Sequence, residues 1–492
     1  MSGIEQQQTI DEKKIGVTPE GNQINDEAIK DDGELEQTID PKKEKLLLAK
    51  LDLLFTPVIM LVYLSCFLDR TNIGNVKVAG MPEDIGASDQ QFSTAVSIFY
   101  ATYVTFETPF AIMLKKVTPR VLLTGLCIVW SLTTIFSGFI HNVGGLYTSR
   151  LILGACEAGL FPSLTIYLSM VYRREEQARR IAYLFSCAAL SGAFGGLLAY
   201  AILQMDGVAG YAGWRWVYII EGIFSIAIAV LVWYGLPTDP ALHPWLTAEQ
   251  QQMMKIRQQQ TAAYMGSDEF KWEEIKIAFK DPKLYLSGGI QFCQDILLYG
   301  FSTFLPAILK SSGYDRLQSN LLTIPVYIVG AAIFIVAAVF SDRFMLRSPF
   351  ILVANIFGIA GYIVLLTVSN DTTKFAATFL CAVAVYIGPG VNITWLSVNV
   401  APHYRRAASI GLQQTIANTA GIVAGQIYRK SPYKLGHGFS LGALCLSQLL
   451  IVAKMIYIKW WNVRKDKIAR GAIEDTRNVK TGDRELDFRY HM

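Results

Sequence analysis

The sequence predicts an all-α integral membrane protein, with twelve transmembrane helices in two bundles of six. Of the 492 residues, 52% are hydrophobic and 17% are charged, whereas an average soluble domain carries about 25% charged residues. The apolar residues also lie in long blocks, and a helix needs about 20 of them to cross a hydrocarbon core roughly 30 Å thick. Composition and block length together exclude a soluble enzyme.

Twelve apolar blocks and one long polar interruption define the predicted organisation. The first bundle is expected to hold spans near 53–73, 90–114, 121–140, 145–171, 180–203 and 215–236. The second is expected to hold spans near 284–308, 318–341, 349–368, 374–398, 406–428 and 439–460. The chain then divides into a disordered N-terminal tail at 1–50, a bundle at 51–236, a linker at 237–283, a bundle at 284–462 and a C-terminal tail at 463–492.

The placement of lysine and arginine predicts the orientation of the chain. These residues are concentrated in the even-numbered connections, the linker and the segments beside both tails, which puts both termini in the cytoplasm. The sequon at Asn370 then falls outside and is a predicted glycosylation site. No sorting signal stands out, so we expect the plasma membrane. The net charge of +4 is small and scattered, so we expect no nucleic-acid partner. We also expect a monomer.

Eight charged residues lie inside the predicted spans, more than two residues from either end. A charge near the bilayer centre costs about 2.5–3.5 kcal/mol on insertion scales, so such residues mark an interior pathway or pair with one another structurally. The eight are Asp69, Arg70, Glu107, Arg150, Glu157, Glu221, Asp295 and Lys454.

Arg150 and Glu157 form the most informative pattern among these charges. They are seven residues apart with Gly154 between them, so two helical turns put all three on one face, over about 10 Å of the helix axis. Arginine offers a planar fork of donors that fits a carboxylate, and a buried glutamate can exchange protons near neutral pH. This is the minimum equipment for proton-coupled anion transport. A salt bridge that holds span four to its neighbours is the alternative.

Span one repeats the combination with Asp69 and Arg70. Adjacent residues lie about 100° apart on a helix, so both cannot face one ligand atom. Either Arg70 faces the cavity with Asp69 beside it, or both reach the outer interface. The role of Asp295 is equally open, Glu221 is interpreted as structural, and Lys454 is expected to extend to the interface from a helix end.

Small residues are concentrated at 191–196 in span five and at 421–425 in span eleven. Such residues let helix backbones approach closely in a membrane. We therefore expect helix packing at both runs, in preference to ligand contact.

Several motifs resemble the Major Facilitator Superfamily, in particular transporters of the anion:cation symporter type. The most specific are Phe67-Leu68-Asp69-Arg70-Thr71-Asn72-Ile73-Gly74 in span one and the run from Arg150 through Gly154 and Glu157 to Gly159 in span four. Within that family the chain is most similar to the fungal allantoate and nicotinic acid permease branch, and closest to the high-affinity nicotinic acid permeases. The motifs for this narrower resemblance include Ala79-Gly80-Met81, Arg347-Ser348-Pro349-Phe350 and Phe488-Arg489-Tyr490.

The resemblance implies an alternating-access symporter that imports a small organic carboxylate, such as nicotinate, with the proton as coupling ion and no cofactor. It implies that Arg70 and Arg150 bind the carboxylate and that Asp69 and Glu157 carry the proton. Tyr103 and Asn418 would be polar substrate contacts. Candidate gate or secondary positions are Glu107, Asp295, Tyr299 and Trp395. Candidate stacking partners for an aromatic cargo are Tyr100, Tyr299, Phe301 and Trp395, and core packing is the favoured alternative for each of these four.

Other functions follow from the same features less directly. A nutrient sensor with a transporter fold is the main alternative, because the acidic tail and the linker offer segments for partners. Allantoate, pantothenate and biotin are alternative cargoes. No metalloprotease, nucleophile-elbow or phosphate-loop motif occurs in the sequence, so neither a membrane enzyme nor an ATP-driven pump is predicted.

Overall fold

The computed structural model describes residues 39–114, 116–265, 272–401, 403–475 and 481–492, and the regular structure in these ranges is entirely helical. Twelve long helical rods are arranged in two sets of six. They are α1 Pro41–Val78, α2 Asp89–Met113, α3 Pro119–Ser137, α4 Val143–Ala158 continued by Leu160–Val171, α5 Arg174–Leu203, α6 Gly213–Gly235, α7 Pro282–Ser311, α8 Thr323–Phe344, α9 Ser348–Thr367, α10 Asp371–Val398, α11 His403–Asn418 continued by Ala420–Ile427, and α12 Lys434–Ala469. The short helices are Met81–Asp84, Val208–Gly210, Pro240–Leu242, Ala248–Met265, Trp272–Phe279, Arg316–Leu321 and Gly482–Arg484.

Ten helices in the described part of the chain are long and apolar enough to cross a membrane. The two rods that fall short are α2 and α11, which carry polar residues such as Glu107 and Gln414 along their length. Both line the cavity between the bundles. Their polarity is therefore a property of the site, since these helices face a polar interior as well as lipid.

Each predicted span overlaps one of the rods, and the ends differ most at α1 and α12. Helix α1 begins at Pro41, whose missing N–H suits the first helical position, and the Asp40 side chain caps it by accepting from the Lys42 N–H. The prediction of disorder is therefore wrong for residues 41–50, while residues 1–38 lie outside the described part. Helix α12 continues to Ala469, well beyond the predicted end at 460.

The two bundles meet tightly on the side opposite the chain ends, here called the distal side; the side where α1 begins and α12 ends is the terminal side. A Cβ added at Gly74 of α1 would lie 1.8 Å from the Thr303 carbonyl oxygen of α7. A Cβ at Gly196 of α5 would lie 2.3 Å from Thr323 Oγ1, and one at Gly421 of α11 would overlap the ring of Tyr100. The packing predicted for the two small-residue runs is confirmed, because both runs close the distal side between the bundles.

On the terminal side, a segment outside the membrane covers the N-terminal bundle. The linker helix Ala248–Met265 contributes Arg257, which pairs with Glu44 of α1 and, at 2.5 Å, with Glu176 of α5. Arg180 of α5 makes a two-pronged ion pair with Asp52 of α1. The predicted linker is thus largely helical and packed against the bundle.

The C-terminal segment 481–492 covers the other bundle in the same way. Asp483, which is fully buried, lies 2.5 Å from both Lys283 at the start of α7 and Arg405 at the start of α11. Burial opposes its ionisation, but these two cations outweigh burial and hold the pKa of Asp483 below its ordinary value of 3.8. The Lys465 ammonium of α12 donates to the Asp483 carbonyl at 2.7 Å. This segment therefore ties together the terminal ends of α7, α11 and α12.

Candidate functional site

A cavity lies between the bundles, on the terminal side of the distal closure. The cavity has a volume of about 90 Å³, which is enough for several waters or one small molecule. Its walls are mostly apolar or aromatic, with convergent polar groups among them, which is the usual composition of a small-molecule site. The polar and tyrosine side chains that line it are Tyr63, Arg70, Thr71, Tyr100, Tyr103, Glu107, Gln291, Asp295, Tyr299, Ser302, Thr303, Tyr327, Tyr386, Gln414 and Asn418.

Arg70 is the one cation among the described lining residues, and it is paired with Glu157. Its Nη2 and Nε atoms lie 3.0 and 3.3 Å from Glu157 Oε2, and the Cys66 thiol donates to the same oxygen at 3.0 Å. The guanidinium also lies over the ring of Tyr103, 5.0 Å from its centroid. Because Cys66 and Arg70 are one turn apart, both approach Glu157 from the same face of α1.

The helix that carries Glu157, α4, lies very close to α2. A Cβ at Gly154 would stand 2.2 Å from the Phe99 carbonyl oxygen, so only glycine permits this approach. Glu157 is 1% exposed and does not itself line the cavity. Its Oε1 atom has no hydrogen-bond partner within the described residues, although the carboxylate is fully enclosed.

Asp69 points away from Arg70, into the N-terminal bundle. It accepts from Trp130 Nε1 at 2.5 Å and from the Ser225 hydroxyl at 3.2 Å, and it is buried. The interpretation in which Asp69 and Arg70 both reach the outer interface is therefore wrong. The 100° between adjacent positions sends one side chain to the cavity and the other to the bundle core.

Arg150 lies apart from the cavity. It is buried at 2% exposure, and its Nη2 donates to the Tyr218 hydroxyl of α6 at 2.9 Å. Although Arg150 and Glu157 belong to one helix, two turns separate them, and the Arg150 side chain is directed to α6 while Glu157 meets α1. The geometry therefore brings Arg70, and not Arg150, to a position where a ligand in the cavity can be bound directly.

A line of hydrogen bonds crosses the cavity from one bundle to the other. The Tyr299 hydroxyl of α7 donates to Asn418 Oδ1 at 2.7 Å, and Asn418 Nδ2 donates to Glu107 Oε2 of α2 at 3.3 Å. The Tyr299 ring packs against that of Tyr100, with centroids 4.6 Å apart. Glu107 therefore lies at the meeting point of the bundles, where the sequence predicted a gate position or a secondary contact.

The remaining predicted site residues divide between the cavity and the protein core. Asp295 lines the cavity and accepts from Gln291 Nε2 at 3.2 Å. Trp395 does not line it, because its indole donates to the His491 carbonyl and its ring packs under the ammonium of Lys454. The expectation that Lys454 extends to the interface is wrong, because α12 runs on to Ala469 and leaves this side chain fully buried.

Three further residues that the sequence analysis named lie outside the cavity. Phe301 is fully buried among apolar side chains and lies outside the cavity. Glu221 accepts from Asn72 Nδ2 at 2.7 Å in the N-terminal bundle. Asn370 caps α10 by accepting from the Thr373 N–H and is exposed, and its glycosylation stays a prediction.

Sequence reasoning missed several partners of the site residues. Cys66 and Gln291 each stand four residues before a charged site residue, and that one-turn spacing was a usable signal. Trp130, the donor to Asp69, sits in an ordinary apolar block that gives no such signal. Tyr327 and Tyr386, which line the cavity from α8 and α10, were equally indistinguishable from core residues.

Comparisons with known proteins agree on fold and class. A model of the Major Facilitator Superfamily matches residues 59–425. An uncharacterized transporter of Schizosaccharomyces pombe is 50% identical, over 90% of this chain and 90% of its own. A high-affinity nicotinic acid transporter of Saccharomyces cerevisiae is 32% identical, over 86% of this chain and 80% of its own. A solved D-xylose–proton symporter covers 81% of this chain and 96% of its own, with a TM-score of 0.63 at 15% identity, a likeness of fold alone.

Proposed function

The chain belongs to the Major Facilitator Superfamily, and from that premise we propose that it is a proton-coupled symporter that imports a small organic carboxylate by alternating access. Nicotinate or a related vitamin or nitrogen-source carboxylate is the proposed cargo, since a relative covering most of the chain is a nicotinic acid transporter. The proposal includes the anion:cation symporter type, the plasma membrane and cytoplasmic termini.

The observation that supports this function best is the buried ion pair between Arg70 and Glu157 at the cavity wall. A buried guanidinium binds carboxylates through charge-assisted hydrogen bonds, and in this conformation two nitrogens of Arg70 donate to one oxygen of Glu157. A proton on Glu157 weakens the pair and leaves the guanidinium free for the carboxylate of the cargo. Proton binding and anion binding therefore favour each other.

Arg70 is the proposed substrate-binding cation and Glu157 the proposed proton carrier. Asp69, which accepts hydrogen bonds from Trp130 and Ser225, is a second proposed proton carrier and directly precedes Arg70 on α1. Tyr103 and Asn418 are proposed to contact the cargo from either side of the cavity. Arg150 is proposed to act from within the bundle, through Tyr218.

The proposed energetics rest on charge balance. One proton carried with one monoanion moves no net charge, so the pH gradient drives the step. Each pH unit supplies about 1.4 kcal/mol, or tenfold accumulation of the cargo. The closed distal side corresponds to the state that follows uptake, in which the cargo has been shut off from that side.

The test compares Glu157→Gln with the unmodified protein in proteoliposomes. With a pH gradient, the unmodified protein is expected to accumulate labelled nicotinate, whereas Glu157→Gln should only exchange internal for external nicotinate. Glu83→Gln, at an exposed position on the distal side, serves as the matched control and should accumulate normally. Undiminished gradient-driven accumulation by Glu157→Gln would show that the coupling assignment is wrong. Specific nicotinate binding without any flux would favour the sensor alternative instead.

A further inference from the structure

Asp295 is a buried carboxylate whose charge has no direct partner. It is 3% exposed and lines the cavity from α7. Oδ1 accepts from Gln291, and no cation of the described residues lies within ion-pair distance of either oxygen. A carboxylate in such surroundings needs compensation, either from the protein or from what occupies the cavity.

A chain of hydrogen bonds inside the C-terminal bundle ends at this carboxylate. The Lys454 ammonium donates to the Ser287 hydroxyl at 3.0 Å, and Ser287 lies 3.1 Å from Asn392 Oδ1. Asn392 Nδ2 donates to Gln291 Oε1 at 2.8 Å, and Gln291 Nε2 donates to Asp295 Oδ1. All five side chains are at least 97% buried.

The direction of this chain is fixed by the chemistry of its first members. An ammonium only donates, and Gln413 Nε2 also donates to Ser287 Oγ, so both acceptor positions of the hydroxyl are filled. The hydroxyl hydrogen must then go to Asn392, which orients the Asn392 amide and, through it, the Gln291 amide. Every donor consequently points toward Asp295, which is held as an acceptor with Oδ2 left for the cavity.

Lys454 is held in place at the far end of the chain without a counter-ion among the described residues. Its Nζ lies 3.7 Å from the centroid of the Trp395 ring, a contact that stabilises a desolvated cation. All the hydrogen bonds in this chain are thus donated in the direction from Lys454 to Asp295. This polarisation favours negative charge on Asp295. Removing Lys454 should weaken that preference without touching the cavity wall.

The cavity therefore has two poles on opposite bundles, Arg70 from α1 and Asp295 from α7. Resting on the proposed function, we propose that the cargo is bipolar as well: its carboxylate binds Arg70, and a basic nitrogen or another cationic or N–H-donating group at its other end binds Asp295. A simple monoanion leaves the Asp295 carboxylate unmatched. A site built to bind a polar group discriminates strongly against an analogue that lacks it.

Nicotinate and benzoate provide a direct test, because they differ only by a ring nitrogen in place of a ring CH. The ring nitrogen of nicotinate can take up a proton from water on binding and then donate a hydrogen bond to Asp295, whereas benzoate has a carbon at that position and cannot. We expect nicotinate to displace labelled nicotinate from the purified protein at a concentration at least about tenfold lower than benzoate does. This comparison needs no variant and is therefore independent of any folding defect.

Two variants test the residues behind this preference. In Asp295→Asn, the displacing concentrations of benzoate and nicotinate are expected to differ by no more than about threefold, mainly because nicotinate binds more weakly. Lys454→Met is expected to reduce this ratio of concentrations partially. Asp371→Asn, an exposed aspartate at the start of α10, should keep the ratio. Equal affinity of the unmodified protein for both acids, or an unchanged ratio in Asp295→Asn, would overturn the bipolar site alone. Failure of both acids to bind or be transported would overturn the proposed function with it.

Discussion

Away from the terminal side, the N-terminal bundle, α1–α6, holds a direct ion pair between buried charges, whereas the buried charges of the C-terminal bundle, α7–α12, are separated by amides and hydroxyls. Arg70 contacts Glu157, and Asp69 contacts Trp130. Asp295 and Lys454, by contrast, are joined only through three intervening side chains.

This difference implies different functional roles for the two bundles. A direct ion pair at a cavity wall can be exchanged for a ligand, since one carboxylate can replace another on the same guanidinium. A chain of amides has no such replacement, because breaking any link leaves a buried polar group unsatisfied. The N-terminal bundle is therefore the part expected to respond to proton and anion, and the C-terminal bundle the part expected to present a fixed surface.

The largest effect on transport is expected from Arg70→Lys. Lysine keeps the charge but loses the two-pronged geometry, and it leaves Glu157 poorly paired in a buried site. We expect nicotinate uptake to fall by roughly a hundredfold, equivalent to about 3 kcal/mol. Arg343→Lys, on an exposed arginine at the end of α8, is the control and should retain uptake. Near-normal uptake by Arg70→Lys would contradict the assignment of the exchangeable pair to the N-terminal bundle.

Gly74→Ala should shift the balance between conformations. Its Cβ would collide with the Thr303 backbone, so the closed distal side should lose about 1–3 kcal/mol, or roughly tenfold in population. Labelling of a cysteine placed at Ser97, between α2 and α11, reports opening, after Cys445, the exposed cysteine of the described chain, is replaced by serine. Gly125→Ala, where an added Cβ meets nothing within 4 Å, should leave the labelling rate unchanged.

Asp483→Asn should lower the thermal stability of the protein, since it removes the carboxylate between Lys283 and Arg405. Losing one partner of a buried ion pair costs about 3–5 kcal/mol. Because the pKa of Asp483 is lowered, its stabilisation is present above its ordinary value of 3.8 and is lost as the pH falls further. The gap in thermal midpoint between variant and unmodified protein should be constant from pH 5 to 8 and should shrink below about pH 4. A gap that changes between pH 6 and 8 would point to another titrating group.

Glu107→Gln is expected to have the smallest effect. The glutamine oxygen can still accept from Asn418, so uptake should stay within about threefold and its dependence on the pH gradient should persist. If Glu107→Gln loses gradient-driven accumulation, as is predicted for Glu157→Gln, then Glu107 is itself a coupling group at the boundary of the bundles. Coupling would then not be confined to the N-terminal bundle. Gradient-driven uptake of labelled nicotinate distinguishes the two results.

The fold was predictable because its determinants are local and repeated. Length and hydropathy alone located twelve spans, and the small residues at 191–196 and 421–425 indicated where helices approach. The ends of α1 and α12 were harder, because their polar extensions lie outside the membrane and are stabilised by packing against the linker and the C-terminal segment. Hydropathy carries no information about such contacts.

The residue types of the site were predictable from the sequence, whereas the directions in which their side chains point were less so. The sequence identified Arg70, Glu157 and Asp295, but it could not show which neighbour each one faces. Arg150 illustrates the limit, since its position on α4 is compatible with the cavity until the Tyr218 hydroxyl of α6 is seen beside it. Trp395 illustrates it again, because only the folded chain brings His491 to its indole.

The docked C-terminal segment also bears on how the chain is made. Asp483 is synthesised after every helix of the bundle that it joins, so Lys283, Arg405 and Lys465 are in place before this carboxylate reaches them. A nascent chain that stops short of residue 483 presents three cations in a terminal face built to enclose them.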